Sequence, residues 1–252
     1  MVENEDRRKL YIVTQKYPYG NGEKTFLEPE LRRVCETDKF DITIISHVRK
    51  GSKLTSVVDK NITVICIPEC SLKEKLFSSI KYCILYFFSR LTKMERMELL
   101  KDKINWGKLF DSLTFYIRAS IFYQNLMKKK LSFNHAIIYT YWCNVETLAL
   151  VLHKYEFEDI RLISRIHGFD LYDERMPHGR QPFRKTMNDK LDRLFFIAQT
   201  GLDYYADKMG GSDPNKHVLR RLGTEKIENY NEGVWESKKR TNFLLVSCSN
   251  II

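Results

Sequence analysis

Short apolar segments alternate with segments of helical periodicity along most of this chain, and this alternation limits the possible folds more than any other feature. The strand-like segments are 10–15, 41–46, 62–67, 136–141, 161–166, 193–198 and 216–220. The helix-like segments are 25–36, 71–128 (with a second helix from residue 106), 145–155, 184–189 and 201–209. Continuous apolar strands separated by helices are typical of a parallel sheet covered on both faces. The sequence therefore predicts an α/β fold, a doubly wound Rossmann-like parallel sheet with helices on both faces.

The composition is that of an ordered globular protein with a basic surplus. Hydrophobic residues make up 43% and charged residues 29% of the 252 positions, which is enough apolar material for a full core. The net charge of +10 favours an anionic partner. The basic residues are scattered, however, and the densest cluster is only 128–130. We therefore expect no nucleic acid as a partner, and a phosphate-bearing ligand or an anionic membrane surface fits better.

The cysteines and the amino terminus indicate a reduced, cytoplasmic environment. None of the six cysteines belongs to a CxxC pair, and no ligand pair completes a zinc site with Cys66 and Cys70. No apolar segment after Met1 has the length of a secretory signal, and no segment is long enough to cross a membrane. We expect no metal, no cofactor and a cytoplasmic location, with a peripheral position on the inner face of the cell membrane as the alternative.

The strand–helix pattern stops near the carboxyl end. Residues 1–222 are interpreted as one Rossmann-like domain, and residues 223–241 as a polar connector. Residues 242–252 contain a new apolar run (NFLLVSCS), which we interpret as the first strand of a second domain. A core strand without a covering helix suggests that the sequence is truncated there.

Two glycines follow the first predicted strand, in the segment Gly20, Asn21, Gly22, Glu23, Lys24. Glycine lets the backbone approach a ligand closely, and the helix that follows offers free N–H groups to anionic oxygens. The dinucleotide-binding pattern GxGxxG is absent. The alternative interpretation is a simple turn between a strand and a helix.

Two further polar clusters follow the predicted strand 161–166. His167 and Asp170 share one turn, and they either hydrogen-bond a sugar, act on protons, or are satisfied locally by the backbone. Arg175, Arg180 and Arg184 lie in the next segment, between prolines and a glycine. Guanidinium groups on a rigid loop suit phosphate or carboxylate recognition, and the alternative is a solvated loop.

An apolar stripe marks the start of the long helical region. Its members are Leu76, Phe77, Ile80, Ile84, Phe87, Phe88 and Leu91. Such a stripe is either part of the core or, because lysines and arginines flank it, an interfacial membrane helix.

Four segments together resemble the amino-terminal domain of the GT-B, family-four-like glycosyltransferases. They are the loop Gly20–Glu23 with TFLEPEL after it, RIHGFDLYDER at 165–175, DRLFFIAQTGLDYY at 192–205, and KHVLRRLGT at 216–224. The resemblance covers nearly the whole chain after residue 9. It implies retaining, metal-free transfer of a hexose from a UDP- or GDP-sugar to a glycan or lipid-linked acceptor in surface polysaccharide synthesis. Because the family's second domain grips the nucleoside diphosphate, we expect this chain to be inactive alone.

The resemblance also implies residue roles. His167 corresponds to the histidine that contacts the donor sugar near the reacting carbon. Gly20, Asn21 and Gly22 are expected on the donor diphosphate side. The expected acceptor-side residues are Glu23, Lys24, Asp170, Arg175, Arg180 and Arg184. The family usually has a Ser-Glu pair where this chain has Ala198-Gln199, so a hydroxyl and a charge are missing there.

Two other functions remain open from the sequence. A nicotinamide-dependent oxidoreductase of the Rossmann type needs GxGxxG after the first strand and an acidic residue at the end of the second, where this chain has Ser46-His47. The second is a non-enzymatic module that binds carbohydrate or lipid phosphate without chemistry.

Overall fold

The computed structural model describes residues 7–69, 72–101 and 105–223. The strands are β1 (Arg8–Thr14), β2 (Phe40–Val48), β3 (Thr63–Pro68), β4 (Ile137–Thr140), β5 (Arg161–Ile166), β6 (Arg193–Phe196) and β7 (His217–Leu219). The helices are α1 (Lys24–Glu36), α2 (Leu72–Phe88), α3 (Lys93–Leu99), α4 (Trp106–Met127), α5 (Val145–Leu152), α6 (Gly168–Leu171), α7 (Arg184–Lys190) and α8 (Gln199–Met209). The predicted strand 242–252 and nearly all of the predicted connector lie outside the described residues.

All seven strands belong to one sheet in the order β3-β2-β1-β4-β5-β6-β7, and every neighbouring pair is parallel. The predicted fold class is confirmed. After β3 the chain returns to the other side of β1, so the order reverses between β1 and β4. In open sheets of this kind, ligands bind beyond the carboxyl ends of the strands at that reversal.

Alternate residues of the central strands supply two cores on opposite faces of the sheet. On β1, Leu10 and Ile12 pack with Leu27 and Leu31 of α1. Tyr11 and Val13 point to the other face, where they belong to a larger core with α4, α5 and α7. Both faces of the strand are buried because parallel strands are joined by helices that cover the sheet.

The long helical region is divided into three helices rather than two. After α2, the Ser89 hydroxyl accepts a hydrogen bond from the Leu91 N–H (3.1 Å) and begins a short 3-10 turn. The Asn105 side chain caps α4 by accepting from the Lys108 N–H (3.1 Å). Side chains that bond nearby backbone groups favour helix ends over helix interiors.

The interpretation of the apolar stripe on α2 as core is wrong where the structure describes it. Ile80, Ile84, Phe87 and Phe88 are exposed, and only Leu91 packs partly against the core. The opposite side of α2 is buried instead, because its tyrosines contact α4. Leu76 and Phe77 lie outside the described side chains. In the part of the chain that the structure describes, no helix has the length and apolar character needed to cross a membrane.

Candidate functional site

A cavity of about 800 Å³ opens at the carboxyl edge of the sheet, next to the reversal between β1 and β4. The segments that follow β1, β4, β5, β6 and β7 all contribute to its wall. Its lining includes Gly22, Tyr141, Trp142, His167, Arg175, Ile197, Ala198, Thr200 and Gly201. The structure thus brings the glycine-bearing loop and the histidine-bearing turn to one cavity. An open depression of about 500 Å³ at the amino end of β5 is lined by none of the predicted site residues.

Glu23 fixes the loop between β1 and α1. Its buried carboxylate accepts hydrogen bonds from the backbone N–H groups of Gln15 (2.9 Å), Lys16 (2.8 Å) and Tyr17 (2.6 Å). The indole N–H of Trp142 donates a fourth, at 2.7 Å. A buried carboxylate with this many donors is strongly anchored. Glu23 is expected on the acceptor side from the sequence. In the structure its carboxylate accepts hydrogen bonds from backbone N–H groups and from the cavity-lining Trp142.

The remaining residues of the first loop are placed unequally. Gly22 lines the cavity, while Gly20, Asn21 and Lys24 are not among the described lining residues. At Gly20 a Cβ would approach the Cβ of Lys16 to 3.1 Å, so the glycine serves close packing inside the loop. The Lys24 ammonium lies 3.9 Å from Glu28 on the exposed side of α1.

His167 lies against two aromatic rings in the cavity wall. Its ring centroid is 4.3 Å from that of Trp142 and 5.0 Å from that of Tyr141. Both ring nitrogens are buried and have no hydrogen-bond partner among the described residues. Burial, assisted by the positive charge of Arg165, lowers the pKa of His167 from 6.5 to about 3. The imidazole is therefore neutral near pH 7, with one donor and one acceptor to offer.

Asp170 connects the turn that carries His167 to the loop after β4. Its carboxylate accepts from the N–H of His167 (2.6 Å) and from the N–H of Cys143 (2.6 Å). Burial raises the pKa of Asp170 to about 7, against the opposing effect of these N–H groups. Like Glu23, this predicted acceptor-side residue is engaged with backbone, and it is not among the described residues that line the cavity.

The three predicted arginines have different environments. Arg175 is exposed, lines the cavity, and forms no ion pair with any described residue. Arg180 binds buried Glu95 through two contacts, Nη1–Oε1 at 2.5 Å and Nη2–Oε2 at 2.8 Å. Arg184 pairs with Asp173 (3.0 Å). Only the first of the three is therefore available to a ligand in the cavity.

The amino terminus of α8 lies at the cavity, where the sequence reads Ala198-Gln199. Ala198 is the capping residue, and no side chain caps the helix. Thr200 and Gly201 of the first turn also line the cavity. A Cβ on Gly201 would approach Leu171 to 2.8 Å, so glycine allows α8 to pack closely on α6. The first N–H groups of a helix attract anionic oxygens when no side chain binds them.

Sequence reasoning missed the loop after β4 and a buried ion pair. Tyr141 and Trp142 form much of the cavity wall, and the signal was an aromatic pair directly after an interior strand. Arg165 on β5 binds Glu30 of α1 through two contacts of 2.7 and 3.0 Å, and its guanidinium lies over the ring of Tyr141 at 5.5 Å. This pair ties α1 to β5 across the cavity edge.

No cluster of three His, Cys, Asp or Glu side chains suited to a metal ion occurs within 7–69, 72–101 and 105–223. At the end of β2, where an oxidoreductase would carry an acidic residue, His47 Nδ1 lies 2.5 Å from the buried carboxylate of Glu146.

No protein-family model matches this sequence, and no curated protein matches it either. Among solved structures, similar folds include a sucrose-phosphate synthase from Thermosynechococcus elongatus (11% identity, TM-score 0.45, 85% of this chain and 90% of that one). OtsA in its apo form is similar over 86% of this chain (14% identity, TM-score 0.49). A putative UDP-N-acetylglucosamine 2-epimerase from Listeria monocytogenes is similar over 84% (12% identity, TM-score 0.44). This chain spans 50% of the second and 44% of the third. At such identities the likeness concerns the fold alone.

Proposed function

We propose that this chain forms the acceptor-side domain of a nucleotide-sugar-dependent glycosyltransferase. The observation that carries the proposal is the position of His167. Its neutral, unpartnered imidazole lies against two aromatic rings in the wall of a cavity at the sheet reversal. A sugar hydroxyl fits this site because it both donates and accepts hydrogen bonds, as a neutral imidazole does. The apolar face of a pyranose ring fits the aromatic wall.

The charge of the cavity fits the sugar side of the reaction better than the diphosphate side. Arg175 and the amino terminus of α8 supply positive potential for one anionic group. A diphosphate carries more charge than these two features neutralise. We therefore assign the diphosphate of the donor to a second domain, which closes over the cavity and excludes water from the reacting centre.

The finer assignment rests on the family resemblance. It comprises a hexose from a UDP- or GDP-sugar, retention of configuration, and a glycan or lipid-linked acceptor for surface polysaccharide, made in the cytoplasm at the inner face of the cell membrane. Within that scheme His167 contacts the donor sugar near the reacting carbon, Gly22 stands beside the diphosphate, and Arg175 faces the acceptor. Glu23 and Asp170 act as positioning residues for these groups.

Saturation-transfer NMR with the purified chain tests the proposal. The probes are methyl glucoside, glucose 1-phosphate, UDP-glucose, GDP-mannose and NAD⁺. We expect saturation of the pyranose protons in the sugar probes, and the His167→Ala variant should bind about tenfold more weakly because the hydrogen bond to the imidazole is lost. Tyr155→Ala is the matched control, because the Tyr155 side chain is exposed and lies before β5. Sugar binding that is absent, or equal in wild type and His167→Ala, contradicts the proposal. Binding of NAD⁺ through its nicotinamide would favour the oxidoreductase.

A sugar-binding module without chemistry is the second candidate. The observation in its favour is that His167 and Asp170 are both buried, so neither is placed to move a proton to solvent. Binding alone does not separate this module from the transferase. Coding sequence that continues beyond residue 252 into a second Rossmann domain with paired glutamates would support the transferase, whereas a stop codon there would support the module.

A further inference from the structure

Large apolar side chains are exposed on one part of the helical layer. The described residues include thirteen exposed large hydrophobic side chains, and nine of them lie between residues 80 and 110. We call the following set the α2–α4 surface: Ile80, Ile84, Leu85, Phe87, Phe88, Met97, Leu100, Trp106 and Phe110. Phe88 is 83% exposed, Trp106 74% and Ile80 71%. Exposed apolar patches of this kind usually mark an interaction site.

The packing of α2 on α4 brings the carboxyl end of α2 and the amino end of α4 to the same end of the helix pair. Tyr82 contacts Gln124 and Tyr116, whereas Tyr86, one turn later on α2, contacts Tyr116. The two helices are therefore antiparallel, and α2 ends near the first turns of α4. Phe88 at the end of α2 and Trp106 at the start of α4 consequently belong to the same end of the helical layer.

The charged groups around the α2–α4 surface are cationic. Lys81, Arg90, Lys93 and Lys108 form no ion pair with any described residue. The carboxylates nearby are already engaged, since Glu95 is buried against Arg180 and Glu98 binds Lys101 (2.8 Å). The surface thus combines aromatic and aliphatic groups with unpaired positive charge.

We propose that the α2–α4 surface binds an anionic lipid bilayer, with its aromatic side chains at the level of the headgroups. Apolar groups flanked by lysine and arginine are the pattern of helices that lie in a membrane interface. A second copy of the chain is a poorer occupant, because two such surfaces would oppose like charges.

The segment 173–184 contacts both the helical layer and the cavity. Arg180 binds Glu95 of α3 at one end of the segment 173–184, and Arg175 lines the cavity at the other. If the proposed transfer of sugar to a lipid-linked acceptor is correct, membrane binding brings that acceptor to the cavity. This consequence rests on the proposed function, whereas lipid binding itself does not.

Vesicle flotation tests the surface. The chain is mixed with vesicles of phosphatidylcholine plus phosphatidylglycerol, or of phosphatidylcholine alone. We expect binding to the anionic vesicles, reduced by added salt. The Phe88→Asp/Trp106→Asp variant should bind at least about tenfold more weakly, since it places carboxylates where aromatic rings meet the lipid.

Val57→Asp/Tyr155→Asp is the matched control, because it introduces the same charges at exposed apolar positions outside the surface. It should bind as the wild type does. Circular dichroism confirms that both variants fold. Equal binding by wild type and Phe88→Asp/Trp106→Asp overturns the proposal. The proposal is also overturned if the wild type does not bind anionic vesicles but forms a dimer in light scattering, and if Phe88→Asp/Trp106→Asp abolishes that dimer. Loss of vesicle binding with unchanged sugar binding leaves the proposed function standing.

Discussion

The cavity edge and the α2–α4 surface use their side chains in opposite ways. At the cavity edge most charged groups are bound by the chain itself: Glu23 and Asp170 hold backbone N–H groups, and Arg180 holds Glu95. On the α2–α4 surface the large apolar groups have no covering partner in the described chain. A side chain that its own protein already satisfies stabilises the fold, and one that it leaves unsatisfied is available for a ligand. Mutations at the two regions should therefore separate stability from binding.

At the cavity edge, the largest effect on stability is expected at Arg180. Its removal leaves the Glu95 carboxylate buried with its charge unpaired, which costs about 3–5 kcal/mol. Arg180→Ala should lower the free energy of unfolding by about that amount in urea denaturation. Arg175→Ala, only five residues away, is the matched comparison, and we expect a change below about 0.5 kcal/mol because this side chain is exposed. Equal losses in the free energy of unfolding would contradict the view that Arg180 stabilises the fold while Arg175 does not.

Glu23 should show the next largest effect. In Glu23→Gln the amide cannot accept all four hydrogen bonds, and its NH₂ group faces backbone donors. We expect a loss of about 3 kcal/mol in the free energy of unfolding, with a shift in tryptophan fluorescence as Trp142 moves. Glu28→Gln in the following helix α1 serves as control, because the Glu28 carboxylate has only a long ion pair with Lys24 (3.9 Å). A fully stable Glu23→Gln protein would show that the loop is held by other contacts.

The pH dependence of stability should report on His167. Its folded pKa of about 3 lies below the ordinary 6.5, so below pH 6.5 the unfolded chain takes up a proton that the folded chain does not. Stability from this group is present above pH 6.5 and is lost as the pH falls toward 3. At about pH 5 the loss is about 2 kcal/mol.

His167→Gln removes this titration, so the variant should lose less stability than wild type between pH 7 and pH 5. Asp170 acts in the opposite direction, because its raised pKa favours the folded state at lower pH, but it is present in both proteins. Parallel pH profiles for the two proteins would mean that the imidazole is protonated in the folded state. Urea denaturation across this pH range measures the difference.

The fold was readable from the sequence because its signals are local. Each strand predicted within the described residues overlaps an observed one, since apolar runs and turn residues lie next to each other in the chain. The predicted strand ends were less accurate at the edge of the sheet where the cavity lies. The strand predicted for 193–198 ends at Phe196, and Ile197 and Ala198 turn into the cavity wall instead.

The site was readable only in outline because its contacts are long-range. The partner that removes Arg180 from the cavity, Glu95, lies 85 positions away, and Trp142 lies 119 positions from Glu23. Composition and spacing identify an arginine-rich loop without showing which guanidinium is neutralised. The sequence therefore pointed to the edge of the sheet where the cavity lies, but it did not show that Glu23, Asp170 and Arg180 bind groups of the chain itself.

The smallest effect on stability is expected on the α2–α4 surface. Phe88→Ser should change the free energy of unfolding by less than about 0.5 kcal/mol, because its ring is 83% exposed and meets water in both states. Phe122→Ser, in the buried part of α4, should cost about 3–5 kcal/mol through the cavity that it leaves. Thermal and urea denaturation of the two variants measure the contrast. If Phe88→Ser lowers the free energy of unfolding as much as Phe122→Ser does, the ring of Phe88 is part of the folded core. That result would contradict its proposed contact with lipid. An unchanged free energy of unfolding in Phe88→Ser means that the phenyl ring does not stabilise the fold. The ring is then available for a contact with another molecule, as the proposed lipid binding requires.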